Sequence, residues 1–163
     1  MRLEGSCHCG SVRFSVESRD PYPFMRCYCS ICRKTGGGGG YLINLDADAS
    51  TLEVVGKEHV KIYRAWLQRE GERAQSEHQR HFCGECGSHL WAYNPAWSAH
   101  LHPVASAIDT PLPEPPENVH IELGSKAPWV RVEGKPGDPR FDEYPDHSLL
   151  EWHHRHGLIA DSA

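Results

Sequence analysis

The sequence predicts a mainly β protein built around one core, and three observations support this fold class. Several short segments alternate apolar and polar residues with period two, as half-buried strands do. The breaks between them are rich in Asp, Gly and Pro, so turns should join the strands into antiparallel sheets. The 163 residues suffice for one ordinary domain and are too few for two.

The predicted elements follow one another along most of the chain. The apolar positions of the predicted strands are, in order, Val12, Phe14 and Val16; Leu42 to Leu45; Leu52 to Val55; Val60 and Ile62; Leu90 and Ala92; Val119, Ile121 and Leu123; Val130 and Val132. Five prolines between Pro103 and Pro116 predict an extended surface loop, because proline cannot donate ladder hydrogen bonds. Ser148 and Glu151 fit a capping box and Gly157 fits a helix stop, which predicts one short C-terminal helix.

Charge and hydropathy exclude two classes of partner. A formal net charge of -5 argues against a large phosphate-binding surface, so nucleic acid is not an expected partner. No segment approaches the ~18 consecutive apolar residues of a membrane-spanning helix. The N-terminal residues also lack the apolar stretch of a secretory signal, so we expect a cytoplasmic protein in a reducing compartment.

Seven cysteines fall into three close groups and indicate metal binding. The groups are Cys7 and Cys9; Cys27, Cys29 and Cys32; Cys83 and Cys86. An odd number leaves one thiol unpaired in any disulfide framework, and cysteines this close in sequence rarely meet disulfide geometry. Thiolates one to three residues apart can instead face one ion.

The spacing favours two separate sites. FCGECGSHLW places a C-x-x-C-G turn between β-prone segments, which is typical of a zinc knuckle, and SCHCG offers a complementary pair. A closed tetrahedral site needs four ligands, and this assigns to one structural zinc Cys7, Cys9, Cys83 and Cys86. The three thiols of Cys27, Cys29 and Cys32 leave one position open, as in a catalytic zinc site. A single four-thiolate site with spare thiols remains an alternative.

Three motifs in this order resemble the glutathione-dependent formaldehyde-activating enzyme family, which includes the centromere protein V type: GSCHCGSVRFSVE, CYCSICRKTGG and FCGECGSHLW. The resemblance runs from about Leu3 to Val132 and includes SKAPW at 125–129. It implies a β-tent fold of layered antiparallel sheets with zinc knuckles. We therefore expect residues 1–163 to form a single zinc-binding domain, with a core at about 3–132 and a C-terminal extension at 133–163.

The resemblance also implies two zinc ions per chain, with the first and last cysteine pairs holding the structural ion and the triplet holding the catalytic one. The family's named activity is that of a carbon–sulfur lyase, which joins the thiol of glutathione to formaldehyde as S-hydroxymethylglutathione. The expected partners are therefore a small-molecule thiol, with glutathione as co-substrate, and an aldehyde. An open zinc site suits this reaction, because a metal-bound thiol is deprotonated and zinc can polarise an aldehyde oxygen.

Basic residues beside the triplet are candidate co-substrate contacts. Three thiolates give a bound zinc a net charge of -1, which weakens the binding of a further thiolate unless cations stand close. Arg26, Arg33 and Lys34 flank the triplet and could compensate this charge or pair with the carboxylates of glutathione, Arg33 and Lys34 first. The glycine run at 36–40 would either admit a tripeptide backbone or serve as a flexible connector.

Several residues and functions remain as alternatives. Alternation points His8 and Tyr28 away from the metals, and Trp91 and Trp129 are predicted to be in the core. A non-catalytic binding module, with an internal side chain completing the second site, is the second hypothesis. A methionine sulfoxide reductase-like relative would need a free redox cysteine, which the division into four and three does not leave.

Overall fold

Strands dominate the computed structural model, which describes residues 1–69 and 71–158, and the predicted mainly β class is confirmed. The strands are β1 (Arg2–Ser6), β2 (Arg13–Glu17), β3 (Phe24–Cys27), β4 (Leu42–Asn44), β5 (Ala47–Asp48), β6 (Glu53–Val55), β7 (Val60–Arg69), β8 (Glu72–Cys83), β9 (His89–Tyr93), β10 (His100–Pro103) and β11 (Asn118–Ile121). The helices are α1 (Ser30–Gly36) and α2 (Leu149–Arg155). Neither helix is long and apolar enough to cross a membrane.

The strands form three sheets. The first is antiparallel in the order β1-β2-β6, and the second is antiparallel in the order β5-β10-β9-β8-β7. The third has the order β11-β3-β4, in which β3 and β4 are antiparallel but β11 and β3 are parallel. The expectation of antiparallel sheets is therefore wrong for this one pair. Parallel pairing is possible here because some ninety residues of chain separate the two strands, far more than the crossover requires.

The main core lies where the inner faces of the sheets meet. Trp91 is 3% exposed, which confirms its predicted core position, and its ring meets that of Phe14 edge to face with 5.1 Å between centroids. Leu3, Leu90 and Leu101 are completely buried beside them. These contacts join the first two sheets, since Phe14 lies on β2 and Trp91 on β9.

The segment after β11 departs from the predicted pattern. Val130 and Val132 form no strand, and Leu123 begins a single 3-10 turn. Trp129 is 64% exposed, so its predicted place in the core is wrong. Its ring instead covers Gly40, where an added Cβ would lie 3.0 Å from Trp129 Cη2. Trp129 and Val130 therefore pack onto the end of the glycine run, with Val130 turned inward and Trp129 outward.

Two short helices complete the fold. The C-terminal helix α2 is confirmed, with the predicted capping box between Ser148 and Glu151. It is held to the body by Trp152, whose Nε1 donates to Glu117 Oε1 at 2.7 Å. Helix α1 was not predicted, because a seven-residue helix that contains one cysteine and ends in glycine carries no apolar periodicity.

The chain beyond residue 133 returns to the third sheet. Phe141 N–H donates to His120 O at 2.9 Å, and Glu122 N–H donates to Glu143 O at 2.8 Å. Residues 139–143 thereby run along β11, on the side opposite to β3. This arrangement carries Tyr144 to the end of the sheet where β3 delivers Cys27.

Candidate metal centres

Two thiol clusters stand out among the residues that the structure describes. In each, all sulfur atoms lie within 4.8 Å of one another. The first cluster consists of Cys7, Cys9, Cys83 and Cys86, and the second of Cys27, Cys29 and Cys32. Folding therefore brings together the two sets that spacing had grouped, although 74 residues separate Cys9 from Cys83.

The first cluster is built from two turns of the same design. Cys7 N–H donates to Val12 O at 3.0 Å, and Cys83 N–H donates to Ser88 O at 2.9 Å, five residues ahead in both cases. The glycine after the second cysteine of each turn has a left-handed backbone, with φ of 77° at Gly10 and 76° at Gly87. Such angles suit glycine, which explains the shared Cys-Gly-Ser sequence.

The sulfur geometry of the first cluster suits a tetrahedral zinc ion. Cys9 Sγ lies 3.5 Å from Cys7 Sγ and 3.8 Å from Cys83 Sγ. A Zn–S bond of about 2.3 Å in a regular tetrahedron requires sulfur atoms ~3.8 Å apart. Val12 N–H donates a hydrogen bond to Cys7 Sγ at 3.2 Å. Four sulfurs at this spacing form a closed donor set.

Electrostatics separates the exposed thiols of the first cluster from a buried one. Hydrogen bonding with Ser11 lowers the pKa of Cys9, and hydrogen bonding with Ser88 lowers the pKa of Cys86 to about 5. Both of these thiols are exposed. Burial instead raises the pKa of Cys83 to about 11. The inner sulfur therefore gains most from a cation, since a buried thiolate without one is costly.

The second cluster is held by the end of a strand and the start of a helix. Cys27 ends β3, Cys29 caps α1, and Cys32 lies one turn into that helix. Cys29 Sγ accepts the N–H of Cys32 at 3.3 Å. Hydrogen bonds with Cys27 and Cys32 lower the pKa of Cys29 to about 2, and the same contacts, with burial, raise the pKa of Cys27. Negative charge in this cluster is therefore favoured first on Cys29.

The second cluster has three ligand atoms where the first has four. No histidine or carboxylate within residues 1–69 and 71–158 joins the three sulfurs as a further member of the cluster. The chemistry of the donor set, three thiols on a rigid strand-helix junction, fits zinc as well as the first set does. With four donors, the first cluster can be closed by protein ligands alone. With three, the second cluster can accept a further ligand.

A buried polar chain supports the second cluster from behind. Tyr28 is fully buried, and its hydroxyl hydrogen-bonds to His120 Nδ1 at 2.9 Å. His120 Nε2 lies 3.6 Å from Asp138 Oδ2, and Asp138 accepts the backbone N–H groups of Asn118 and Lys135. The side chain of Tyr28 thus turns away from the thiols, as alternation predicted. Its hydrogen bond anchors the backbone that connects Cys27 to Cys29.

The predicted basic residues occupy different surroundings. Arg26 donates to Glu133 O at 3.2 Å and stacks over the ring of Tyr41 at 5.2 Å. Arg33 is half-buried in the last turn of α1, and its Nε has no hydrogen-bond partner. Lys34, also in the last turn, is exposed. Of the three, Lys34 alone lines the groove described next.

A groove of about 560 Å³ runs between the end of α1 and the first cluster. Lys34 and the glycines at 36 and 37 form one wall, and Cys7, His8 and the turn at 87–89 form the other. Its volume lies within the usual range of small-ligand pockets. The side-chain-free wall at 36–37 leaves the backbone accessible to a ligand.

Three residues near the second cluster were missed by sequence reasoning. Arg80 and His78 alternate on β8 and interact electrostatically with the thiols of Cys32 and Cys29 respectively. Tyr144, on the chain beyond residue 133, interacts electrostatically with all three thiols of the second cluster. The His-x-Arg alternation in the β-prone segment before Cys83 was the available signal for the first two residues, whereas nothing local marks Tyr144.

Comparison with known proteins agrees with these observations. The profile of the family described as glutathione-dependent formaldehyde-activating enzyme matches residues 2–122. A Halomonas elongata protein with the provisional name glutathione-dependent formaldehyde-activating enzyme is 57% identical over 158 residues, covering 97% of this chain and 98% of its own. A crystal structure of a Rhodobacter sphaeroides protein superposes with a TM-score of 0.52 at 26% identity, covering 69% of this chain and 92% of that chain.

The family profile spans about three quarters of the chain and includes every cysteine of both clusters. The Halomonas relative extends the similarity through nearly all the remaining residues. The chain therefore belongs to the glutathione-dependent formaldehyde-activating enzyme family.

Proposed function

We propose that this protein is a zinc-dependent carbon–sulfur lyase that adds a thiol, glutathione or a similar molecule, to formaldehyde or another small aldehyde. The first cluster holds a structural zinc ion through Cys7, Cys9, Cys83 and Cys86. The second cluster holds a catalytic zinc ion through Cys27, Cys29 and Cys32. Family membership and the name of the Halomonas relative support the reaction class.

The observation that carries this proposal is the unequal donor count. Four sulfurs complete a tetrahedron, so an ion in the first cluster has no vacant position for a substrate. Three sulfurs leave one position for a ligand from solution. A binding module with two closed sites would require a fourth protein donor at the second cluster, and the described residues offer none there.

The reaction forms one carbon–sulfur bond. The thiol sulfur attacks the aldehyde carbon, the C=O π bond opens, and the proton lost by sulfur ends on the new hydroxyl oxygen. Zinc bound by the triplet would keep the thiol deprotonated near neutral pH and polarise the aldehyde oxygen. The protein fixes the three thiolates on a strand end and a capped helix, which turns a bimolecular encounter into a positioned addition.

The groove at the end of α1 is the proposed place for the rest of the thiol molecule. Lys34 stands on its wall and can pair with a carboxylate of glutathione. The glycines at 36 and 37 admit a peptide backbone beside the helix end. Arg33 does not line the groove, so Lys34 is the principal contact.

Exchange kinetics test this proposal. Glutathione and formaldehyde combine spontaneously, so the relevant quantity is the rate of adduct formation and breakdown at equilibrium, measured by NMR exchange spectroscopy with zinc-replete protein. We expect the protein to raise this rate, and Cys29→Ser to abolish the increase. Ser30→Ala, an exposed neighbour outside both clusters, is the matched control and should retain it. A protein that accelerates no thiol–aldehyde pair would contradict the proposal.

A further inference from the structure

Arg80 is a buried cation without a partner. It lies in the middle of β8, is 6% exposed, and its Nε and Nη1 have no hydrogen-bond partner. No carboxylate forms an ion pair with it anywhere in the part of the chain that the structure describes. A guanidinium is always charged, and a buried charge is stable only beside an opposite one.

The residues of the second sheet that interact electrostatically with Arg80 are histidines. His78, His89 and His102 lie within electrostatic range of Arg80 or of one another, on the same face of the second sheet. Burial, and secondarily the charge of Arg80, lowers the pKa of His78 and of His89 to about 4, so both imidazoles are neutral near pH 7. His89 is 8% exposed, and neither of its ring nitrogens has a hydrogen-bond partner.

The second cluster lies within electrostatic range of this face of the sheet. Arg80 interacts electrostatically with Cys32, and His78 with Cys29, so this face of the sheet is turned toward the triplet. The end of α1 and His89 also line one groove, which places the helix that carries Cys32 opposite the β8–β9 hairpin. The unpartnered guanidinium and the incomplete set of sulfurs therefore face each other.

The formal charges of the thiolates, the metal ion and Arg80 indicate what this arrangement does. Three thiolates and a divalent cation sum to -1, and a fourth thiolate makes -2. Arg80 brings these values to 0 and -1. We propose that Arg80 is the counter-ion of the second cluster and makes it selective for an anionic sulfur ligand over a neutral donor. This inference rests on the proposed function. It assigns to Arg80 the role of compensating the cluster's negative charge, which the sequence suggested for Arg33 and Lys34.

Ligand binding to zinc-replete full-length protein tests this role. Arg80→Gln removes the charge and keeps a polar side chain, and Arg80→Lys restores a charge. Arg64→Gln, on the neighbouring strand β7, is the matched control; the Nε of Arg64 donates to Ser76 O at 2.6 Å. The two probes are glutathione, which binds as a thiolate, and imidazole, which binds as a neutral donor. Their dissociation constants are measured by titration calorimetry, with zinc content measured by elemental analysis.

The expected result is a loss restricted to the anionic ligand. Arg80→Gln should keep its zinc and its imidazole affinity, while its glutathione affinity falls about tenfold or more, as the loss of one nearby charge implies. Arg80→Lys should recover most of that affinity, and Arg64→Gln should resemble the wild type. Equal glutathione affinity in wild type and Arg80→Gln would overturn the counter-ion role and leave the proposed function standing. An equal loss for both ligands would show that Arg80 only maintains structure. Failure of the wild type to bind any thiol would overturn both proposals.

Discussion

At the scale of single residues, the second cluster depends on buried polar groups that lie behind the thiols. Tyr28 connects the cysteine loop to His120, and Asp138 faces the opposite nitrogen of the same ring. Hydrogen bonds from the backbone N–H groups of Lys135 and Asn118 lower the pKa of Asp138 against the effect of its burial. A charged carboxylate and a neutral imidazole thus fix the orientation of the tyrosine.

Replacing Tyr28 with phenylalanine tests this anchor. Tyr28→Phe leaves His120 Nδ1 buried without a partner, which should lower the free energy of unfolding by about 1–3 kcal/mol. Tyr63→Phe, at an exposed position on β7, is the control and should unfold like the wild type. Chemical denaturation of the zinc-replete proteins gives both values. Equal stability of Tyr28→Phe and wild type would show that the hydroxyl contributes nothing to the loop.

His78 predicts a pH dependence of stability with a definite sign. Its pKa is about 4 in the folded protein, because of burial and then the charge of Arg80, and about 6.5 in an unfolded chain. Between these values the unfolded state binds the additional proton. The contribution of His78 to the free energy of unfolding is therefore present in full above about pH 6.5 and is lost as the pH falls toward 4.

Between pH 6.5 and 4, we expect the free energy of unfolding to fall by about 1–3 kcal/mol less in His78→Gln than in the wild type. Metal release in acid affects both proteins, so the quantity to measure is their difference in unfolding free energy at each pH. His59→Gln, at a more exposed position in which the ring bonds to Glu85, provides the comparison. A constant difference across this range would mean that His78 titrates normally in the folded state.

At the scale of structural elements, the two knuckles and the β3–α1 junction play different roles. The knuckles connect the first sheet to the long hairpin of the second, so a metal ion between Cys9 and Cys83 joins distant parts of the chain. The β3–α1 junction already has its own strand pairing and helix cap. Loss of a metal ligand should therefore have different consequences at the two clusters.

Serine substitutions make this difference measurable. A structural zinc site contributes on the order of 10 kcal/mol or more, which is comparable to the whole stability of a domain. Cys83→Ser should therefore give unfolded or insoluble protein, whereas Cys32→Ser should keep its circular dichroism spectrum and a cooperative thermal transition. If both variants melted alike, the division into a structural and a catalytic site would lose its support.

Patterns in the local sequence predicted those strands and helices whose formation depends mainly on residues close in sequence. Alternation gave β2, β4, β6, β7, β9 and β11, and the capping box gave α2. The pattern at Val130 and Val132 was misleading, because two valines can pack inward from an irregular segment that no strand pairs with. The parallel pairing of β11 with β3 depends on a contact between distant segments, which alternation does not encode.

At the scale of the whole molecule, the site combines predictable and unpredictable parts. The cysteine groups could be assigned from spacing, because metal ligands recur at short intervals in sequence. Arg80 comes from a strand about fifty residues after Cys32, and its significance lies in burial without a partner, which only the folded structure shows. Tyr144 reaches the same cluster because residues 139–143 follow β11.

The number of zinc ions per chain, and of their sulfur ligands with and without glutathione, shows directly whether the second site is open. Elemental analysis gives the stoichiometry, and X-ray absorption at the zinc edge gives the average sulfur coordination. We predict two zinc ions per chain and an average that rises from about three and a half sulfurs toward four when glutathione binds. One zinc ion per chain, or two whose sulfur count does not respond to any thiol, would contradict the open second site.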